Sequence, residues 1–484
     1  MGGRYAVHYI EPREQCNIRI GRGSMRYQTV NPATCQIIDT YETMTTEELW
    51  TVVERADDVY RDWRKLSPRE RAPFFSKLGA VLREKRDVYA KLMTIEMGKP
   101  IREARAEVEK CAWLSDIYAD NAERWLEEEI VEADGIEHRV VFEPLGVILS
   151  IMPWNFPFWQ ALRFAVPGIL AGNASILKHA SNVPQCAFAI EDAFTRAGFP
   201  DHVFTAVLAD HLGVAALIES DRIQGVSLTG STGAGARIAE EAGKNLKKVV
   251  LELGGSDPFI VLDDADIEFT ATNAAKGRML NTGQSCIAAK RFIVIRSVAE
   301  SFSRRFAELM GSLVVGDPMD EHTEVGAIVS EDALNELVTQ LGQAVDLGAT
   351  ILTGGKRLDR PGFFLQPTVV IDTTPEMRIV REEVFGPIAP IIVVEDEDEA
   401  VSIANATEFG LGGSVWTRDL KRGAELARRL DSGTVFVNSI VKSDPRMPFG
   451  GVKKSGIGRE LSKYGLREFV NVKGLNIYSH GLAK

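Results

Sequence analysis

Cysteine and histidine are scarce in this 484-residue sequence, and long hydrophobic runs are missing. The five cysteines are scattered without a CxxC pair, and only seven histidines are available to complete a metal site. A disulfide framework or a bound metal is therefore not expected, and the cysteine pattern favours a reducing, cytoplasmic location. No apolar run approaches the roughly 18–20 residues that span a bilayer, so we expect no membrane insertion.

The sequence also lacks an excess of positive charge. Its 56 basic and 68 acidic residues give a formal net charge of −12, which argues against sequence-independent binding of nucleic acid. Residues 1–24 contain no apolar segment of the kind found in secretory signals, so they are predicted to be a poorly structured leader. A chain of this length is expected to form two to three domains.

Alternating strand and helix patterns predict an α/β fold. Helices are expected between continuous apolar strands near residues 147–151, 174–178, 203–208, 226–229 and 248–253. Such strands indicate a parallel sheet covered on both faces, as in doubly wound, Rossmann-type nucleotide-binding domains. Together with the helical region that precedes it, this domain is predicted to comprise residues 25–126 and 144–253.

A second alternation of strands and helices begins at Gly254 and predicts another α/β domain over residues 254–446. Its strands are expected near residues 259–262, 292–296, 368–371, 390–394, 413–416 and 434–437. Two β-like segments, 127–143 and 447–484, lie outside both domains. The second holds a terminal strand with no partner left in its own chain. We therefore predict a small β extension for oligomerisation, which supplies an edge to another subunit of a homodimer or homotetramer.

Cys286 lies in a short turn, Gly283-Gln284-Ser285-Cys286, ahead of a basic pair and an apolar strand. A lone cysteine in such a turn is most often a buried and inert thiol. It becomes a candidate nucleophile only if other groups of suitable chemistry lie near it.

Two polar residues in apolar segments are candidates for the groups that would assist a cysteine nucleophile. Asn155 either caps the helix that follows it or donates a hydrogen bond to an oxyanion. Glu252 lies in an otherwise apolar strand, where burial would raise its pKa and suit it to act as a general base. The neighbouring Gly254 and Gly255 leave room for a ligand to approach closely.

Two further features are expected at the carboxyl edge of the first sheet. The loop Gly230-Ser231-Thr232-Gly233-Ala234-Gly235 joins a strand to a helix, and it is either a tight turn or a phosphate site at the helix N-terminus. Lys178 ends a buried strand, where it either extends its charge to solvent or binds a ribose or phosphate.

Five motifs follow one another along the chain: Pro153-Trp154-Asn155-Phe156-Pro157, Glu252-Leu253-Gly254-Gly255, Gly283-Gln284-Ser285-Cys286, Glu383-Val384-Phe385-Gly386-Pro387 and Pro448-Phe449-Gly450-Gly451-Val452-Lys453. In this order and spacing they resemble the aldehyde dehydrogenase superfamily, over roughly residues 26–480. Within it, segments 177–182 and 252–259 are similar to bacterial succinate-semialdehyde dehydrogenases. The resemblance implies an NAD(P)-dependent enzyme, with the first domain binding the cofactor and the second carrying the catalytic cysteine.

The resemblance also implies a mechanism. The Cys286 thiolate would attack the aldehyde carbon, and the side chain of Asn155 and the Cys286 backbone N–H would hold the developing oxyanion. Hydride would pass to the nicotinamide. Glu252 would then activate the water that hydrolyses the thioester to a carboxylic acid.

The resemblance assigns further residues to the cofactor and the substrate. Ser231 would contact the pyrophosphate, Glu383 the nicotinamide-side ribose, and Phe385 would pack beside the nicotinamide. The other residues expected at the cofactor are Ile151, Met152, Pro153, Trp154, Lys178, Ser181, Gly230, Ala234, Leu253 and Gly254. Those expected at the substrate are Phe156, Trp159, Arg163, Ser285 and Phe449.

Ser181 stands where many NAD-preferring relatives place an acid, three residues after the lysine at the sheet edge. An acid there would bind the adenosine 2′-hydroxyl and repel a 2′-phosphate. With Ser181 and Lys178 together, the sequence admits NADP as well as NAD.

Arg163 follows Asn155 by eight residues, which is about two turns of helix. From the same face of that helix it would clamp the distal carboxylate of a short semialdehyde, with succinate semialdehyde the expected substrate. The alternative for Arg163 is a surface salt bridge. Leu280 stands where some relatives carry a second arginine, and Arg278 and Arg446 are the candidates to replace it.

Other functions would require a different set of residues. A broad-specificity enzyme would need no carboxylate clamp. A CoA-acylating dehydrogenase would not need a general base, so Glu252 argues against it. A non-catalytic protein on this scaffold would be expected to have lost Cys286, Asn155 or Glu252, and all three are present.

Overall fold

The computed structural model describes residues 26–480, so the predicted leader lies outside the described residues. The described chain begins with an antiparallel hairpin of β1 (Arg26–Val30) and β2 (Ile37–Glu42). Four helices follow: α1 (Thr46–Trp63), α2 (Pro68–Glu84), α3 (Arg86–Met97) and α4 (Ile101–Trp125). Thr45 and Ser67 begin the first two helices with capping boxes, which satisfy backbone N–H groups that a helix start leaves unpaired.

The first large sheet has the doubly wound order expected of a nucleotide-binding domain. The two-residue strand β3 (Glu129–Ile130) and the longer strand β4 (Glu137–Pro144) precede it. Its own elements are β5 (Val147–Met152), α5 (Pro157–Leu170), β6 (Ala174–His179), α6 (Pro184–Arg196), β7 (Phe204–Val207), α7 (His211–Glu219), β8 (Ile223–Thr229), α8 (Thr232–Lys244) and β9 (Lys248–Glu252). The five strands are parallel in the spatial order β9-β8-β5-β6-β7, with the switch point beside β5.

The second large sheet has seven strands. Its elements are β10 (Pro258–Val261), α9 (Ile267–Met279), β11 (Arg291–Ile295), α10 (Arg296–Gly311), α11 (Glu331–Asp346), β12 (Thr350–Thr353), β13 (Thr368–Ile371), α12 (Arg378–Arg381), β14 (Ile388–Val394), α13 (Glu397–Asn405), β15 (Gly412–Trp416), α14 (Leu420–Ala427) and β16 (Thr434–Val437). The order is β12-β13-β14-β11-β10-β15-β16, all parallel except the edge strand β12. The predicted α/β fold class is confirmed, and β12 is the strand that the sequence pattern missed.

The chain ends with β17 (Gly456–Ile457), α15 (Ser462–Leu466) and β18 (Val470–Ile477). β17 pairs antiparallel with β9 and so completes the first sheet. β18 pairs antiparallel with β4 over eight residues, and β3 extends this small sheet. The expectation that the terminal strand has no partner in its own chain is therefore wrong, because residues 137–144 supply one.

The helix that follows the candidate catalytic asparagine, α5, lies entirely inside the molecule. All fourteen residues of α5 are buried, packed between the first sheet and helices α2, α4 and α6. A helix enclosed on every side has little freedom to move. Within residues 26–480, no helix is both long and apolar enough to cross a membrane.

Candidate active site

The nucleophile turn begins with three consecutive residues in the left-handed region of backbone space. Asn281, Thr282 and Gly283 have φ values of 55°, 58° and 75°. Such backbone is strained for Asn and Thr, and it persists only where the surroundings hold it. Here the Asn281 N–H donates to the Glu103 carboxylate of α4 at 2.8 Å, and Thr282 Oγ1 accepts a backbone N–H from the loop after α10 at 2.9 Å.

Arg278 ties this turn to the segment that carries Glu383. Its buried guanidinium donates to the carbonyls of Ala289 at 2.8 Å, of Gly283 and Val384 at 3.0 Å each, and of Gly386. The expectation that Arg278 serves as a second substrate arginine does not fit this arrangement, because its donors are directed at backbone carbonyls.

Lys290 holds the other side of the turn. Its Nζ donates to the carbonyls of Ser285 at 2.9 Å and Cys286 at 2.7 Å, and it lies 3.3 Å from Glu383 Oε1. Sequence reasoning gave this residue no role. The available signal was a lysine at the start of a buried apolar strand, four residues after the cysteine.

Cys286 itself is half-buried. Burial raises the pKa of its thiol to about 12, although the Arg163 and Lys290 cations act in the opposite direction. The thiol is therefore protonated at neutral pH until a base removes its proton. Within residues 26–480, no acceptor is found for the Cys286 backbone N–H, which leaves it as a donor for an oxyanion.

Asn155 lies in the turn between β5 and α5, and its side chain donates to the Gln284 carbonyl at 3.0 Å. It does not cap α5. Instead Glu107 of α4 accepts the N–H groups of Phe158 and Trp159 at 2.9 Å each. A carboxylate suits a helix N-terminus, and with the cap supplied by α4 the Asn155 amide remains available to the nucleophile turn.

Glu107 was missed by sequence reasoning, and so was its buried ion-pair partner Lys99. Lys99 also lies over the Phe156 ring, 3.8 Å from its centroid. The signal in the sequence was weak: two acids four residues apart, Glu103 and Glu107, lie on one face of α4. Nothing in that spacing tells which distant elements they meet.

Glu252 is an unpaired carboxylate in the interior. It is 2% exposed, and neither of its oxygens has a hydrogen-bond partner within the described residues. Burial, and then the charge of the nearby Glu460, raise the pKa of Glu252 well above the usual range, while Arg163 lowers it. A buried carboxylate without partners destabilises the fold, and such groups are often kept for acid–base chemistry.

Arg163 completes this cluster. It forms a buried ion pair with Glu460, and its guanidinium lies 4.8 Å from the centroid of the Phe449 ring. It also donates to Thr229 Oγ1 at 3.3 Å. The alternative of a salt bridge is therefore present, in the interior rather than at the surface, and the clamp on a substrate carboxylate stays a prediction.

The remaining predicted substrate residues differ in position. Phe156, Trp159 and Phe449 pack into one apolar cluster together with Cys286, and Ser285 is buried beside the nucleophile. Arg446 is exposed and pairs with Asp444 at 2.7 Å, so its charge also has a partner.

The residues predicted to bind the cofactor gather at the carboxyl edge of the first sheet. The register places Ile151 of β5 between Lys178 of β6 and Leu228 of β8. Because these strands are parallel, the turns after them form one rim, which holds residues 152–154, 181, 230–234 and 253–254. This is the edge where dinucleotides bind in doubly wound sheets.

The rim fits a dinucleotide in charge and in space. Lys178 is half-buried, burial lowers its pKa, and within residues 26–480 no carboxylate lies within 4.0 Å of its Nζ. Ser231 caps α8 by accepting the Ala234 N–H at 3.3 Å. A Cβ at Gly233 would meet nothing within 4 Å, which leaves open space for a phosphate at this helix start.

Glu383 connects the rim to the nucleophile turn. Its Oε1 accepts the Gly255 N–H at 3.1 Å, and a Cβ at Gly254 would lie only 2.6 Å from its Oε2. The rings of Phe385 and Trp154 meet edge to face, with centroids 5.8 Å apart. The predicted ribose and nicotinamide residues therefore lie beside one another.

The sheet edge suited to bind a dinucleotide is joined through Glu383 to the turn that carries Cys286. This arrangement is typical of a dehydrogenase that uses a thiol as its nucleophile. The chain belongs to the aldehyde dehydrogenase family, whose family model matches residues 20–475. It is therefore an oxidoreductase that acts on aldehydes.

Individual relatives agree with this assignment. The chain is 46% identical to the Mycobacterium tuberculosis protein named succinate-semialdehyde dehydrogenase (NADP(+)) 1, over 93% of this chain and 99% of that protein. It is 45% identical to the Deinococcus radiodurans succinate-semialdehyde dehydrogenase (NADP(+)), over 92% and 94% of the two chains. The crystal structure of succinic semialdehyde dehydrogenase from Streptococcus pyogenes with NADP+ superimposes with a TM-score of 0.91, at 39% identity, over 94% of this chain and all of that one.

Proposed function

We propose that this protein oxidises succinate semialdehyde to succinate, with NADP as its preferred cofactor. The observation that supports this chemistry is that three features lie together. They are the turn that carries Cys286, the buried carboxylate of Glu252, which has no hydrogen-bond partner within the described residues, and the sheet edge suited to a dinucleotide. The names of the relatives, at 45–46% identity over nearly the whole chain, support the choice of substrate.

The first half of the reaction forms a covalent bond to the protein. Glu252, which is near enough to influence the pKa of Cys286, accepts the thiol proton as the sulfur attacks the aldehyde carbon. The Asn155 amide and the Cys286 N–H stabilise the resulting oxyanion. The bound nicotinamide would supply the hydride acceptor that converts the thiohemiacetal to a thioester.

The second half releases the product. Glu252 takes a proton from water, the hydroxide attacks the thioester carbon, and the carbon–sulfur bond breaks to give the carboxylic acid and the free thiol. The raised pKa of Glu252 suits both proton transfers, because it makes the carboxylate a stronger base than an exposed glutamate. Glu383 and Lys178 would hold the cofactor by its two riboses.

The charge of Lys178, which has no carboxylate partner within the described residues, and the presence of Ser181 in place of an acid three residues later support NADP over NAD. Ser181→Glu should raise the KM for NADP by about 10- to 100-fold, since a carboxylate would oppose the 2′-phosphate. The KM for NAD should change little or fall. Initial rates with both cofactors measure this, and Ser181→Ala is the control that removes the hydroxyl without adding charge. An unchanged preference in Ser181→Glu would mean that the 2′-phosphate binds elsewhere.

The substrate proposal is tested by initial rates with succinate semialdehyde and butanal, which share a four-carbon chain and differ in the distal carboxylate. A charged hydrogen bond to that carboxylate contributes about 1.5–3 kcal/mol, so kcat/KM should favour the semialdehyde roughly 10- to 100-fold. Equal values for both aldehydes would contradict the proposal and favour a broad-specificity enzyme.

We also infer that the chain forms a homodimer or homotetramer through the small sheet β18-β4-β3. The strand β18 exposes Val472, Leu475 and Ile477, at 61%, 40% and 41%. Exposed apolar side chains along an unpaired sheet edge support a partner subunit. Light scattering should give a multiple of the 53.3 kDa chain mass, and Val472→Glu should reduce it, whereas a wild-type monomer would contradict the inference.

A cytoplasmic location completes the proposal. The four cysteines within residues 26–480 are all free, which fits a reducing compartment. Fractionation of the native cells would test it, and recovery of the protein outside the soluble cytoplasmic fraction would contradict it.

A further inference from the structure

Helix α4 supplies two carboxylates that bind backbone on both sides of the candidate active site. Glu103 accepts the Asn281 N–H of the nucleophile turn at 2.8 Å. Glu107, one turn further along, accepts two backbone N–H groups at the start of α5 at 2.9 Å each. The two acids lie on one face of the helix, about 6 Å apart along its axis. One helix therefore contacts both the turn that carries Cys286 and the helix start that follows Asn155.

Lys99 balances these two carboxylates in the interior. It is fully buried and forms an ion pair with Glu107. Burial raises the pKa of Glu103, and the charge of Lys99 lowers it. The ammonium of Lys99 also lies 3.8 Å from the centroid of the ring of Phe156, the residue after Asn155. Buried ion pairs add little to stability compared with apolar residues of similar volume, which favours a role for this set beyond stability.

The nucleophile turn needs an external contact because its backbone is strained. Asn281 and Thr282 have φ values of 55° and 58°, in the left-handed region. Such backbone persists only where the surroundings hold it, and Glu103 binds the first of the two residues. The Asn281 carbonyl accepts the Gln284 N–H at 2.9 Å, which continues the turn toward Cys286. The position of the Cys286 N–H therefore depends on where Asn281 is held.

Hydrogen bonds also join the two turns to each other. The side chain of Asn281 donates to the carbonyls of Asn155 at 2.8 Å and of Gln284 at 3.1 Å. The side chain of Asn155 donates to the same Gln284 carbonyl at 3.0 Å. The two oxyanion donors, the Asn155 amide and the Cys286 N–H, thus belong to one bonded unit. A displacement of about 1 Å in such a site costs about 10²-fold in rate.

We propose that Lys99, Glu103 and Glu107 are positioning residues that set the separation of the two oxyanion donors. Glu103 acts through Asn281, and Glu107 acts through the start of α5. Helix α4 is suited to this role because it is 25 residues long and packs against α2, α3 and α5. The proposal rests on the thiol mechanism of the proposed function but not on the choice of aldehyde.

The test compares two reactions of Cys286, of which only one forms an oxyanion. Glu103→Ala should lower the single-turnover rate of NADPH formation about 10- to 100-fold, since loss of a whole oxyanion donor costs about 10²–10³-fold. Alkylation of Cys286 by iodoacetamide displaces iodide and develops no oxyanion. Its rate, followed by mass spectrometry of the peptide that contains Cys286, should stay within about twofold of wild type.

Two further variants give the matched comparisons. Glu103→Gln keeps an oxygen that can accept the Asn281 N–H, so it should recover most of the lost rate of NADPH formation. Glu109→Ala removes an exposed carboxylate of the same helix, which pairs with Arg83 at 2.9 Å, and it should leave both rates unchanged.

A double-mutant cycle tests whether the two acids act together. Lys99→Met/Glu107→Ala removes the contact with α5 without leaving a buried cation unpaired. If both acids set one separation, adding Glu103→Ala to this variant should slow NADPH formation by less than about threefold more. Effects that multiply instead would contradict a common role.

Other outcomes also overturn the proposal. An equal loss of NADPH formation and of alkylation, with a lower melting temperature, would make these residues purely structural. Unchanged NADPH formation in Glu103→Ala would overturn this role alone, whereas a wild type that forms no NADPH with any aldehyde would overturn the proposed function as well. Should Glu103→Ala not fold, Glu103→Asp decides, because its shorter side chain displaces the acceptor and should slow NADPH formation but not alkylation.

Discussion

Cys286→Ala should abolish aldehyde oxidation, with kcat reduced on the order of 10⁴-fold or more. The sulfur forms the bond through which both half-reactions proceed, and no other cysteine within residues 26–480 lies in the nucleophile turn. Cys111 and Cys186 are fully buried in the core of the first domain, and burial raises the pKa of both thiols well above the usual range. NADPH formation under saturating substrates measures the loss.

The fold and cofactor binding should survive this change, because the methyl group of alanine fits where the half-buried thiol was. Fluorescence titration with NADPH should therefore give a Kd close to the wild-type value. Cys35→Ala is the matched control, since it removes another half-buried thiol far along the chain from the nucleophile turn. Retention of more than about 1% of wild-type kcat in Cys286→Ala would show that the nucleophile is misassigned.

Glu252→Gln should separate the two half-reactions. Loss of a general base typically reduces a rate by about 10²–10⁴-fold, so steady-state turnover should fall by this factor. Deacylation should suffer most, because water is a far weaker nucleophile than a thiol and depends more on the base. Rapid mixing should then show a burst of NADPH of up to one equivalent per active site, followed by a slow phase.

The pH dependence of the wild-type enzyme gives an independent measure of the same group. Because the pKa of Glu252 is raised, its basic form increases only as the pH rises well beyond the ordinary range for glutamate. The kcat of the wild-type enzyme should therefore increase with pH over this range, and the kcat of Glu252→Gln should not show this increase. The same increase in both proteins would assign it to another titrating group.

Added CoA distinguishes the hydrolytic enzyme from the acylating alternative. A wild-type turnover that does not depend on CoA is expected, because a buried carboxylate with a raised pKa, such as Glu252, is suited to act as the base for water. If wild type requires CoA and Glu252→Gln is as active as wild type, the thioester is transferred rather than hydrolysed, and the proposed second half-reaction is wrong.

Much of the fold and the chemistry could be predicted from the sequence because both depend on local patterns. Continuous apolar strands located the two sheets, and parallel register then brought Ile151, Lys178 and Leu228 to one rim. The motifs around Asn155 and Glu252 were recognisable because a polar residue in an apolar segment is uncommon.

The supports of the site could not be predicted, because they come from elements far apart in the chain. Glu107 caps a helix 51 and 52 residues away, and Arg278 reaches carbonyls more than 100 residues away. The ion pair of Arg163 with Glu460 had the same difficulty, since helix periodicity gave the face of Arg163 but not the presence of Glu460. The pairing of β18 with β4 was missed for that reason too.

The central claim is that Cys286 holds the substrate as a thioester, which is hydrolysed by a water that Glu252 activates. Mass spectrometry of Glu252→Gln, quenched with acid after mixing with succinate semialdehyde and NADP, tests it most directly. We predict a succinyl group on the peptide that contains Cys286, at a level matching the NADPH burst. A burst without this adduct, or an adduct on a different residue, would contradict the claim.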